Sequence, residues 1–164
     1  MPYIGLLSDT HSYFDENLRN FFKDVDEIWH CGDFGNAAVS HSISQFKPLR
    51  GVYGNCVGTE VRIIHPLVQI FEIGAFKVLM IHIGGYPGRY DKTAMHLITA
   101  HRPNLFICGH SHILKIIFDK ANNMLTVNPG AAGIEGFHNV RTAVRFRIEN
   151  NEITDMEVGE WKRN

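Results

Sequence analysis

The stretch Tyr3-Ile4-Gly5-Leu6-Leu7-Ser8-Asp9-Thr10-His11 opens on residues suited to a buried strand and breaks off at four polar ones. A short apolar run that stops at a turn signal reads as a strand followed by a loop. The same grammar recurs along the chain. Glu27 to Cys31 leads into Gly32-Asp33, Arg50 to Tyr53 into Gly54-Asn55, Lys77 to Ile81 into His82, and Leu105 to Cys108 into Gly109-His110-Ser111-His112. Each strand would therefore deliver a polar cluster to one edge of the fold.

Amphipathic stretches from about Glu16 to Lys23 and from Ala37 to Phe46 separate the first three runs, so the chain begins strand, helix, strand, helix, strand. Strands then dominate: Leu67 to Ile73, a turn at Gly74, Lys77 to His82, a helix from about Lys92 to His101, and Leu105 to Cys108. Two hairpins follow. Ile113 to Asp119 pairs with Met124 to Val127 around Asn122-Asn123, and Thr142 to Ile148 with Glu152 to Val158 around Asn150-Asn151. The expected fold class is α/β, a four-layer α/β/β/α sandwich of two mixed sheets flanked by helices. No repeat or linker interrupts the sequence, so one domain is expected over residues 1–164.

Composition narrows the function. A net charge of -1 without like-charge blocks gives no footprint for nucleic acid or an anionic membrane and suits a small substrate. The longest apolar runs are far too short for a membrane span, and a strand-like run stands where a signal peptide would, so the expected location is cytoplasmic. Cys31, Cys56 and Cys108 form no Cys-x-x-Cys pair, which argues against a disulfide framework or zinc knuckle. Ten histidines in 164 residues are the anomaly, since imidazole serves both metal ligation and proton transfer.

In α/β folds ligands bind outside the carboxyl ends of the strands, where loops converge over a rigid sheet. Convergence here would gather Asp9, His11, Asp33, Asn55, His82, His110 and His112. Singly, Asp-x-His, Gly-Asp and Gly-Asn are common turn sequences. Gly-His-x-His after a buried strand is sharper, and the five motifs in order are far more specific than any one. Seven donors exceed the needs of one first-row metal that keeps a position open for water, so two ions are implied, and a carboxylate can bridge them. If extended, His110 and His112 project to one side with β-carbons roughly 6–7 Å apart, which suits one on each of two ions about 3.5–4 Å apart.

From Ser8-Asp9-Thr10-His11 to Asn128-Pro129-Gly130 the chain resembles the calcineurin-like metallophosphoesterases, and its size resembles their small single-domain phosphodiesterase branch. The resemblance implies a first metal on Asp9, His11, Asp33 and His112, and a second on Asp33, Asn55, His82 and His110, with Asp33 bridging. It implies a metal-dependent hydrolase of small phosphate esters, with Asp33, Asn55 and His82 acting through metal-held water. The mixed oxygen and imidazole donors suit manganese first, with zinc, iron, nickel or cobalt also compatible. The chain departs from the family at Cys56-Val57, where larger members have His and an acid, and at Ile83-Gly84-Gly85, where the small branch has Gly-His. Leaving-group protonation is unassigned on this reading.

Arg89, in the Gly84 to Tyr90 loop, is a candidate phosphate contact or a solvated turn residue. His30 is read as a packed core histidine, with a hydrogen-bonded supporting role behind Asp33 as the alternative; His138, in the glycine-rich stretch after Asn128-Pro129-Gly130, could approach the site but is not counted in it, and His41, His65, His96 and His101 are read as surface or packing residues. The alternative class is a non-catalytic scaffold, since the resemblance also embraces the retromer small subunit. No heptad or other interface signal specifies a homo-oligomer.

Overall fold

The computed structural model describes residues 2–55 and 58–163. Cys56 and Val57 lie outside the described residues. The first parallel unit runs β1 (Tyr3–Leu7), α1 (Glu16–Phe21), β2 (Glu27–His30), α2 (Ala37–Phe46) and β3 (Leu49–Gly51), followed by α3 (Thr59–Ile64). The second comprises β4 (Val68–Ile73), β5 (Phe76–Ile81), α4 (Lys92–His101), β6 (Leu105–Ile107), β7 (Leu114–Asp119) and β8 (Met124–Pro129). The hairpin of β9 (Val140–Glu149) and β10 (Glu152–Lys162) then returns to the first sheet. The strand orders are β10-β9-β1-β2-β3 and β4-β5-β6-β8-β7. Each sheet mixes parallel and antiparallel pairs: β1 runs parallel to β2 and antiparallel to β9, and β5 parallel to β6 and antiparallel to β4.

Period-two alternation explains the layers. Ile4 and Leu6 of β1 pack with Trp29, Val78, Met80, Leu105, Ile107, Val144 and Phe146 in a layer between the sheets. Their alternates Tyr3 and Leu7 face α1 and α2, meeting Leu18, Phe22, Val39 and Ile43. On the second sheet Leu79, Ile81 and Phe106 face Ala94 and Ile98 of α4. These strands are apolar on both faces because both are covered. Burial of each large aliphatic side chain contributes roughly 1.5–3 kcal/mol. The expected α/β/β/α layering is the observed one.

Local chemistry sets the boundaries. Asp15, Asn36 and Asp91 cap α1, α2 and α4 by accepting from backbone N–H groups of the first turn. Asn150 and Asn151, both in the left-handed region (φ 51° and 61°), make the two-residue turn of the last hairpin. Two departures from the sequence expectation lie beside β3. The strand ends at Gly51, short of Tyr53: Val52 N–H still donates to His30 O at 3.1 Å, but Tyr53 N–H turns away to Pro66 O at 2.9 Å. Helix α3 was not expected. Its Val61-Arg62-Ile63-Ile64 run is β-branched and uncapped by any side chain, and it is held by tertiary packing of Val61, 1% exposed, while Ile63 is 79% exposed. Among the described residues no helix is long and apolar enough to cross a membrane.

Candidate metal centre

The loops that leave β1, β2, β3, β5 and β6 meet at one edge and are tied by backbone bonds. Asp9 N–H donates to Gly32 O at 2.9 Å, His11 N–H to Asp33 O at 3.0 Å, and Gly109 N–H to His82 O at 2.9 Å. This bracing holds five of the seven expected residues in left-handed backbone: Asp9 (φ 53°), His11 (44°), Asp33 (58°), His110 (71°) and His112 (63°). Each such non-glycine residue costs about 1 kcal/mol or more, and clustered strain of this kind is typical of functional sites.

The side chains converge as two groups, Asp9 with His11 and His112, and Asp33 with His82 and His110, in each of which the ligand atoms lie within 4.8 Å of one another. Asp9 Oδ1 lies 3.3 Å from His112 Nε2, 3.7 Å from His82 Nε2 and 3.9 Å from His11 Nε2. Asp33 Oδ2 lies 3.2 Å from His82 Nε2 and 3.8 Å from His11 Nε2. Asn55 joins through Oδ1, 3.1 Å from His110 Nδ1. All seven expected residues thus meet in one place. At Gly54 the approach is so close that a Cβ would collide with the Asp33 carboxylate and its backbone nitrogen, which is why the residue before Asn55 has no side chain.

The donor set fits metal ions. Asp9 Oδ2 is engaged by Ser8 Oγ at 2.7 Å and the His110 N–H at 3.1 Å, but Asp9 Oδ1 and His82 Nε2 are buried without a well-directed hydrogen bond. Orphaned buried polar atoms are costly. Two atoms held about 2.1 Å from one ion at 90–110° stand roughly 3.0–3.4 Å apart, close to the observed separations. His82 Nδ1 donates to Cys31 O at 2.7 Å, so Nε2 presents a lone pair. Burial pulls the His82 pKa down, but contact with Asp33 and the charges of Asp9 and Asp33 outweigh it and leave it raised. That of His112 is raised chiefly by Asp9. Both shifts report a negative field that suits a cation.

The remaining histidines divide. His30 is fully buried, its Nδ1 accepting from Gly32 N–H at 3.1 Å and its Nε2 meeting Thr10 Oγ1 at 2.9 Å. Because Thr10 Oγ1 donates to Phe34 O at 2.9 Å, the His30 Nε2–H must be the donor to Thr10. A neutral His30 therefore clamps the Asp9–His11 loop to the Asp33 loop. It stacks on Phe34 at 3.6 Å between ring centroids, and Phe34 stacks on His65 at 4.5 Å. His41 and His96 are exposed and His101 partly so.

A cavity of about 470 Å³ lies over the two groups, its far wall formed by Ile113, Glu135, Phe137 and His138. Sequence reasoning left out Glu135 and did not count His138 in the site: Glu135 Oε2 is 3.7 Å from His11 Nδ1, and His138 Nδ1 is 3.3 Å from His112 Nδ1. Neither sits at the end of a strand, so no local signal marks them. Arg89 lines a neighbouring cavity of about 420 Å³, reached across His110, Ser111 and Ile113. Asn128, at the end of β8, fixes the His110–His112 loop by donating to Gly109 O and Ser111 Oγ, each at 3.0 Å.

Comparison with known proteins addresses the family and the fold. The sequence profile described as the calcineurin-like phosphoesterase superfamily domain matches residues 3–151. A probable metallophosphoesterase of Methanothermobacter thermautotrophicus is 29% identical over 160 residues, covering 94% of this chain and 90% of that protein. Among solved structures, Vps29 of Chaetomium thermophilum superposes with a TM-score of 0.74 at 13% identity over 99% of each chain. A protein described as a novel archaeal phosphodiesterase does so with a TM-score of 0.71 at 22% identity, over 95% of this chain and 99% of that one.

Proposed function

As the chain belongs to the calcineurin-like phosphoesterase superfamily, we propose that it is a phosphodiesterase with a dinuclear metal centre, manganese being the first candidate. The observation that carries this reading is the convergence of Asp9, His11 and His112 with Asp33, His82 and His110, of which His11, Asp33, His110 and His112 line a cavity. Asp9, His11, Asp33 and His112 would hold one ion and Asp33, Asn55, His82 and His110 the other. Bound there, a pair of divalent ions supplies Lewis acidity, raising the acidity of water and neutralising charge on phosphoryl oxygens.

The chain's own contribution is orientation. Cys31 O holds the His82 ring by its Nδ1–H, and Ser8 with the His110 backbone holds the Asp9 carboxylate by one oxygen, leaving the other for the site. The preference for diesters rests on the wall. Among the described residues no Lys or Arg lines this cavity, whereas Ile113 and the fully exposed Phe137 do. A singly charged ester with an organic substituent suits such a wall better than a dianionic monoester. The whole length is taken as one domain acting in the cytoplasm, a reading that the free, buried thiols of Cys31 and Cys108 support.

The test is hydrolysis of an activated aryl phosphodiester by metal-stripped protein, with manganese, nickel, zinc and magnesium restored separately and Asp33→Ala as control. Metal-dependent turnover that the control lacks is expected, faster than on alkyl monophosphates. Equal rates on alkyl monophosphates would remove the diester assignment, and silence with every metal would favour the scaffold reading that the likeness to Vps29 keeps in view.

A further inference from the structure

We propose that His138 is a positioning residue that fixes which nitrogen of His112 carries hydrogen, and thereby aims the lone pair of His112 Nε2 at Asp9. The inference deepens the metal-centre reading and rests on it only for the role of His112.

With both rings neutral, the chain of hydrogen bonds has one consistent solution. His138 Nε2 lies 2.8 Å from Gly133 O, and a carbonyl only accepts, so this nitrogen carries the hydrogen. In a neutral ring the other nitrogen is then an acceptor. Arg163 donates to the backbone carbonyls of Gly136 and His138, which sets a positive charge beside the loop and works against a second one on the ring. His138 Nδ1 faces His112 Nδ1 at 3.3 Å, with the ring planes 74° apart. Of two facing nitrogens one must donate, and His138 Nδ1 cannot. His112 therefore carries its hydrogen on Nδ1 and presents a bare Nε2 lone pair 3.3 Å from Asp9 Oδ1.

Two acceptors at that distance repel unless a cation lies between them. With the opposite tautomer, His112 Nε2–H would simply donate to Asp9 and occupy the very atoms a metal needs. His138 thus removes a competing hydrogen bond and leaves the pair arranged for an ion.

Gly136 is the second element of the device. Its φ of +129° is one that L side chains rarely adopt, and a Cβ there would collide with His112 Nδ1 and stand 3.0 Å from His138 Nδ1. Only glycine leaves the gap through which the two rings meet. Neither residue ends a strand, which separates this device from the seven donors themselves.

Long-range proton–nitrogen correlation spectra of the metal-free protein, recorded at a pH high enough to keep both rings neutral, read the tautomer directly. His112 is expected to carry hydrogen on Nδ1 in the parent protein and to shift toward the Nε2–H form in His138→Ala and in Gly136→Ala. His138→Asn, whose side-chain oxygen falls near the place of the lost Nδ1, should restore the parental pattern. Calorimetric titration with manganese should show binding weakened about tenfold in His138→Ala and within about twofold of the parent in His138→Asn. A parent His112 already protonated on Nε2, or a tautomer unmoved by His138→Ala, would overturn the proposal. A parent protein that binds no manganese would instead overturn the metal-centre reading, with the spectra still deciding the hydrogen-bond assignment on their own.

Discussion

Replacing His30 by Phe tests whether a neutral buried imidazole clamps the two loops. The substitution keeps a ring on Phe34, stacked at 3.6 Å, but deletes the acceptor for Gly32 N–H and the donor to Thr10 Oγ1. Thr10 keeps its own bond to Phe34 O, so the loss is mainly the orphaned Gly32 N–H, worth about 2 kcal/mol and a fall of about 4–8 °C in Tm near pH 7.5. Burial holds the His30 pKa well below 6.5. In the window below 6.5 the unfolded chain therefore takes a proton that the folded one refuses, and stability falls as pH falls. With an unfolded value near 6.5, the drop from pH 7.5 to 5.5 removes about 1.4 kcal/mol from the parent. Phenylalanine takes no proton, so the deficit of His30→Phe should shrink from about 2 to about 0.6 kcal/mol over the same interval. His82 and His112, whose raised values act with the opposite sign, are common to both proteins and cancel in the difference. Urea unfolding of metal-free protein at the two pH values measures it. A deficit independent of pH would refute the neutral clamp.

Two further outcomes concern the frame and the ions. Arg141, 2% exposed, donates to both oxygens of Asp15, the cap of α1, at 3.0 Å each and to Ala132 O at 2.7 Å. Arg141→Met should cost about 3 kcal/mol in urea unfolding, and a loss under about 0.5 kcal/mol would mean the pair contributes little. Manganese at a hundredfold excess over its dissociation constant should stabilise the folded chain by about 2.7 kcal/mol. That corresponds to a rise of about 5–10 °C in Tm, reversible by chelation and absent in Asp33→Ala; an equal rise in that variant would place the binding elsewhere.

What was legible in the chain was whatever its own neighbours decide. The runs Tyr3 to Leu7 and Lys77 to Ile81 announce strands because a short apolar run that stops at a turn signal is a local feature, and Asn150-Asn151 announces a turn because few residues tolerate left-handed backbone at both positions. The polar clusters after the strands announced a site because parallel connections bring strand ends to the same edge. Tertiary structure alone decided the rest. Helix α3 exists against the preference of Val61, Ile63 and Ile64 because packing outweighs propensity over so short a segment. His65, alike in sequence to any surface histidine, is driven neutral by burial against Phe34, its pKa lowered to about 4. His138, 26 residues from His112, meets it only because the loop before β9 folds back over the site. A residue type and its spacing determine what a side chain can do, whereas the dielectric around it and the partner across from it are made by distant parts of the chain.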